Sequence, residues 1–141
     1  MATTNASISV SSDIMSYPVR INKTMTMKKL ASCHGLEETS GLNVKKFTAT
    51  AAVKLVDNTE GTAGKASKVY IRNTGSDKAN FFYVALANGA AASDSTETIG
   101  RLHGGDWMLI PWAATAATTH DIHVAPNTAE PMTIEWMVFV E

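Results

Sequence analysis

Arg101-Leu-His-Gly-Gly-Asp-Trp-Met-Leu-Ile-Pro-Trp112 turns on Gly104-Gly105, so two extended runs meet at a tight reversal. His120-Asp-Ile-His-Val124 follows, and Met132-Thr-Ile-Glu-Trp-Met-Val-Phe-Val-Glu141 closes the chain, with no helical period between the runs. Met132, Ile134, Trp136, Val138 and Val140 share one side of the last run at period two, the mark of a strand with one buried face. Pro111 has no N–H to give to a ladder, which places the run from Trp107 to Trp112 at a sheet edge. Trp107 and Trp112 have opposite parity and belong to opposite faces of that strand.

The same pattern extends upstream. Phe81-Phe-Tyr-Val-Ala-Leu86 is nearly continuous apolar sequence, as expected of a strand covered on both faces. Lys68-Val-Tyr-Ile-Arg72 turns Val69 and Ile71 inward and Tyr70 outward, and Asn73-Thr-Gly-Ser-Asp77 is a turn. From Thr96 to Leu102 a further strand is expected, between loops over residues 88–95 and the Gly104-Gly105 reversal. Phe47 to Val56 alternates as one strand, with Phe47, Ala49, Ala51, Val53 and Leu55 on one face. Residues 29–42 are a polar connector. Ahead of it, Ile21, Met25 and Met27 mark a half-buried strand after Pro18. Small polar residues fill the first 18 positions, within which Ser7 to Val10 would make a short strand. The count is about eight or nine strands at sandwich spacing. The sequence therefore predicts an all-β chain: a jelly-roll-like antiparallel β-sandwich over residues 19–141, preceded by an extended N-terminal arm over residues 1–18.

Composition narrows the function. At 141 residues the chain suits one core, and its 18% charged residues are few. A net charge of −1 gives no global signal for nucleic acid or membrane, and neither is expected as a partner. The charge is polarised, however: residues 1–70 hold nine Lys/Arg against five Asp/Glu, and residues 71–141 hold three against eight. Cys33 is alone and forms no internal disulfide. The start lacks a basic and apolar leader, and no apolar run approaches the roughly 20 residues of a membrane helix. Synthesis in a reducing cytoplasm without general export is the simplest expectation.

The residues that invite chemistry do not group. His120 and His123, three apart in a strand, point to opposite faces, so with His103 they make a poor metal set. Glu37 and Glu38 are adjacent and point apart, and Cys33 has only its neighbour His34 as a base. No nucleophile elbow, dinucleotide fingerprint or P-loop occurs. The expectation is a non-enzyme without cofactor or metal. Tyr70 on one strand, and Met137 and Phe139 on the outer side of the last, leave a sheet apolar on both faces. That pattern argues for burial by oligomerisation, with those three residues at the interface.

Lys68-Val-Tyr-Ile-Arg-Asn-Thr-Gly75, Thr98-Ile-Gly-Arg-Leu-His-Gly-Gly-Asp-Trp-Met-Leu-Ile-Pro-Trp112, Asp121-Ile-His-Val-Ala-Pro-Asn-Thr-Ala129 and Ile134-Glu-Trp-Met-Val-Phe139 form an ordered series. The series resembles small β-rich virion proteins of tailed bacteriophages, especially those of cyanobacteria, over roughly residues 68–141. The resemblance implies a virion structural protein, assembled in the host cytoplasm. It would decorate or cement a capsid by binding the major capsid protein or another virion protein, as a homo-oligomer with a trimer favoured. Arg20, Lys23, Lys28 and Lys29 would then grip an acidic capsid surface. A tail- or fibre-associated component is the near alternative. A carbohydrate-binding sandwich using an exposed tryptophan is a different class. A cupin-like metal enzyme is a third, and it requires clustered His and Glu ligands that four scattered histidines do not offer.

Overall fold

The computed structural model describes residues 3–12, 19–28, 38–61, 67–86, 98–113 and 120–140. Among them lie eleven strands and one 3-10 turn, and no helix is long and apolar enough to cross a membrane. The chain divides after Glu38 into two compact units.

The first unit is a hairpin of β1 (Thr3–Ser12) and β2 (Val19–Lys28), antiparallel from Thr3 opposite Lys28 to Ser12 opposite Val19. Thr, Ser and Asn alternate along both strands, and cross-strand contacts such as Ser7 Oγ to Thr24 Oγ1 at 2.9 Å join them. The sequence placed the strand after Pro18 with the sandwich and left residues 1–18 as an arm. The register instead unites residues 3–12 and 19–28 in their own two-stranded sheet. Ala6, Ile8 and Val10 do alternate in β1, but Ile8 and Val10 stay exposed, and the Thr and Ser residues at either end carry no burial signal that would show the strand's length.

The second unit holds β3 (Glu38–Thr39), β4 (Asn43–Phe47), β5 (Val53–Val56), β6 (Ser67–Asn73), β7 (Phe81–Leu86), β8 (Thr98–His103), β9 (Trp107–Trp112), β10 (Ile122–Pro126) and β11 (Met132–Val140). The pairings are nested: β7 with β8, β6 with β9, β5 with β10, and β4 with β11. That is one long antiparallel hairpin of eight strands, rolled so that β10 also meets β7 and β11 also meets β6. The result is two sheets, β5-β10-β7-β8 and a five-stranded sheet in which β11 carries β3 and β4 on one side and β6 then β9 on the other. This is the jelly-roll-like antiparallel sandwich expected from the sequence.

The two layers are held by alternate side chains. Val69, Ile71, Ile134 and Val138 from the five-stranded sheet meet Val56, Phe82, Val84, Ile122 and Val124 from the other, all essentially inaccessible. Each such burial is worth about 1.5–3 kcal/mol relative to exposure. Phe47 of β4 and Phe82 of β7 pack edge to face across the layers at 5.3 Å. The apolar run of β7 is covered on both faces: Phe82 and Val84 face the main core, while Ala85 joins Ala125, Ala52 and Tyr83 in a small second cluster. Trp136 lies on the inner face, partly buried against the core, with its Nε1 enclosed and unpartnered. Pro111 lies on β9, an edge strand as expected.

The stretch from Phe47 to Val56 breaks the single-strand expectation. β4 ends at Phe47 in one sheet and β5 begins at Val53 in the other. Residues Thr48 to Ala51 are exposed between them. Small side chains keep the period-two pattern but bury too little to hold a ladder, so the chain crosses between layers there.

At one end of the sandwich, Asn73 ties the sheets together. Its buried side chain donates from Nδ2 to the Leu102 carbonyl at 3.0 Å and accepts at Oδ1 from Gly75 N–H at 3.0 Å. Its main chain donates to Asp106 and accepts from Gly105, the latter at φ +84°. Gly104 packs so close that an added Cβ would fall 2.4 Å from the Asp77 carbonyl oxygen.

Candidate interaction surface

In the five-stranded sheet, residues opposite one another in register share a face. With Val69 and Ile71 turned inward, the outer face carries the row Val44, Glu135, Arg72, Trp107 across β4, β11, β6 and β9. The next row is Met137, Tyr70, Leu109. Contacts confirm the shared face: the Tyr70 hydroxyl donates to Glu135 Oε1 at 2.8 Å, and Arg72 Nη1 lies 3.4 Å from the same oxygen. Burial raises the Tyr70 phenol above its ordinary pKa, with the Glu135 hydrogen bond and charge adding to the rise. Val44 is 61% exposed and Trp107 48% exposed, at the two ends of their row, and Leu42 beside β4 is equally open. Met137, Tyr70 and Leu109 are half-buried between them. The centre of this face is thus one acid beside one base, flanked by apolar side chains.

The other sheet carries a second aromatic group on β7 and β8. Phe81 and Tyr83 meet edge to face at 4.9 Å, and the Arg101 guanidinium lies over both rings, 4.9 and 5.3 Å from their centroids. His103 packs on Phe81 at 5.0 Å, its Nδ1 2.7 Å from the Lys78 carbonyl oxygen. Each group here already has a partner in the chain. Nearby, Lys54 bridges Asp121 at 2.8 Å and Asp57 at 2.9 Å. Asp121, then Asp57, hold the Lys54 ammonium above its ordinary pKa. Asp57 is in turn lowered to about 2, first by Lys54 and then by the Thr59 N–H it caps. Asp121 is buried and also accepts from Asn58 N–H at 2.8 Å, so it serves as a strut.

The residues singled out in the sequence are dispersed. Arg20 and Lys23 are exposed on β2, three apart and so on opposite faces of the hairpin, which does not make one basic grip. Lys28 ends β2, and Lys29 lies outside the described residues. Tyr70 and Met137 are cross-strand neighbours on the open face, as the parity argument required. Phe139 has the same parity but is 6% exposed, so it is not an exposed anchor; parity assigns a face and does not say whether that face is covered. Trp107 and Trp112 do part: Trp112 is buried, donating its Nε1–H to the His120 carbonyl at 2.7 Å. Among the described residues no three His, Cys, Asp or Glu side chains group to hold a metal ion. His123 is buried with Nε2 unpartnered, away from any such group, and Cys33, His34 and Glu37 lie outside the described residues.

An open cleft of about 320 Å3 lies by the Asn73 loop, lined by Thr74, Ser76, Asp77, Asn80 and Thr133 among others. Its carboxylate is engaged internally, Asp77 accepting from Ala79 N–H at 2.8 Å and from Asn80 Nδ2 at 3.2 Å. Sequence reasoning missed Val44, Arg72 and Glu135. The Arg72–Glu135 contact joins residues 63 apart, and only the register of β6 with β11 reveals it.

No protein-family profile and no curated protein sequence matches the chain. Among solved structures, a cupin protein from Bacteroides fragilis is similar at a TM-score of 0.37 and 13% identity, covering 82% of this chain and 84% of that one. At that level the likeness adds nothing to the architecture read from the strands themselves.

Proposed function

We propose that the protein is a non-enzymatic structural component of a tailed-phage virion that decorates or cements the capsid by binding neighbouring subunits as a symmetric oligomer. The observation that carries the adhesive part of this reading is the outer face of the five-stranded sheet, where Trp107 and Val44 stand open on a row of otherwise paired side chains. Exposed apolar groups on a well-braced sheet suit contact with another protein surface. The virion part rests on the resemblance, whose motifs fall in β6 and β8–β11, three strands of the five-stranded sheet and two of the four-stranded one. Among the described residues, charged side chains meet in pairs that include Lys54 with Asp57 and Asp121, Arg72 with Glu135, and Lys78 with Asp106. These braces suit a slab that works by many modest contacts. Quantitative mass spectrometry of gradient-purified particles tests the role. The chain is expected in fixed stoichiometry with the shell protein; its absence from infectious particles refutes the proposal. A tail- or fibre-associated position is distinguished by which subassembly retains the chain.

One observation favours a second reading. Trp107, half exposed on a sheet face, has the form of a sugar-stacking platform. Specific binding on a glycan array, lost in Trp107→Ala, would select a carbohydrate-binding module.

A further inference from the structure

The outer face of the five-stranded sheet is complementary to itself, and from this we infer that it is a two-fold interface between two copies of this chain. The row Val44, Glu135, Arg72, Trp107 runs apolar, acid, base, apolar across β4, β11, β6 and β9. A two-fold axis parallel to the strands, between β11 and β6, would lay a second copy face to face and reverse the order of every row. Glu135 of one copy then stands over Arg72 of the other, twice. Val44 stands over Trp107, which covers the two most open apolar side chains of the row, 61% and 48% exposed. In the next row Met137 stands over Tyr70 of the second copy, so the apolar centre meets itself. No like charges oppose one another in these two rows. Sheets pack in this way at about 10 Å with their strands within about 30° of each other, which keeps the central rows in register.

Charge argues for a second copy over a foreign partner. The face presents one acid and one base at its centre, so it neither attracts nor repels a charged surface, but it matches its own reversed image. Four strands at about 4.8 Å spacing and three rows at about 6.8 Å give roughly 400 Å2 a side. That is about half of a standard interface, so the pairing is expected in the micromolar range. The interface does not depend on the virion role. A trimer formed through another surface would combine with it to give six copies.

Sedimentation velocity of the full chain over a micromolar concentration series tests this. Wild type is expected to convert reversibly from monomer to dimer. Arg72→Glu and Glu135→Arg, each placing like charges across the axis, should each weaken pairing by at least about a hundredfold. Mixing the two variants should restore pairing close to wild type, because the mixed dimer carries opposite charges across the axis. That rescue cannot come from contacts within one chain. Trp107→Lys changes an exposed residue outside the core and should also abolish pairing while leaving far-ultraviolet circular dichroism and melting unchanged. A wild-type chain that stays monomeric throughout, a dimer or trimer indifferent to Trp107→Lys, or a mixture that pairs no better than its components would overturn the inference.

Discussion

Replacing Asn73 by Ala removes two hydrogen bonds from a side chain that is 1% exposed. One, from Nδ2 to the Leu102 carbonyl, crosses from β6 in one sheet to β8 in the other; the second receives Gly75 N–H and shapes the turn. A buried hydrogen bond contributes about 1 kcal/mol net, and an orphaned buried partner costs about 1–3 kcal/mol. The Leu102 carbonyl loses its partner in the buried interior, while Gly75 is exposed and its N–H recovers water. The expected loss is therefore about 2–4 kcal/mol, a fall in melting temperature of roughly 6–12 °C for a domain of this size. Urea unfolding followed by tryptophan fluorescence and by far-ultraviolet circular dichroism measures it. Asn73→Asp sharpens the test: it keeps the acceptor for Gly75 but sets a carboxylate against the Leu102 carbonyl, and should cost at least as much as Ala at neutral pH. A change within about 0.5 kcal/mol of wild type for Asn73→Ala would refute the idea that this side chain clamps the two layers.

Phe82→Ala should cost about 3–5 kcal/mol, and a double-mutant cycle with Phe47→Ala should show coupling of about 0.5–1.5 kcal/mol across the 5.3 Å ring contact. Gly104→Ala drives a Cβ into the Asp77 backbone at 2.4 Å and should lose about 1–3 kcal/mol, whereas Gly100→Ala, with nothing within 4 Å, should stay within about 0.5 kcal/mol in the same melts. Asp57 is depressed from 3.8 to about 2, so the unfolded chain binds the proton first. Its contribution is therefore present above pH 3.8 and disappears as pH falls toward 2; melting curves should show that acid loss flattened in Asp57→Asn, and an unchanged acid limb would contradict it.

Much of the fold is legible in the chain wherever alternate positions are large and apolar. Val69 and Ile71, Phe82 and Val84, and Ile134 and Val138 mark their strands because one-face burial demands period two. Gly104-Gly105 and Asn73-Thr-Gly75 mark turns by backbone freedom and by an amide that bonds its own loop. Where side chains are small or polar, the pattern persists without the structure it predicts. Ala49 and Ala51 alternate through a crossing between sheets, and in β1 the alternating Ala6, Ile8 and Val10 do not reveal that their cross-strand partners are Met25, Lys23 and Ile21. Tyr70 and Met137 could be assigned to the outer face by parity alone, but parity is blind to neighbours. It therefore gave no sign that Phe139 is buried, nor that Glu135 and Arg72 meet between Val44 and Trp107. Strand pairing decides those contacts, and pairing across 63 residues is a property of the rolled hairpin, not of any local stretch.

The proposed adhesive role is tested most directly by a cryo-electron microscopy reconstruction of the phage particles to which the proposal assigns this chain. The account predicts density for the β4–β11 sandwich at symmetry-related positions on the particle, bridging neighbouring subunits. A particle surface fully explained without this chain would contradict it.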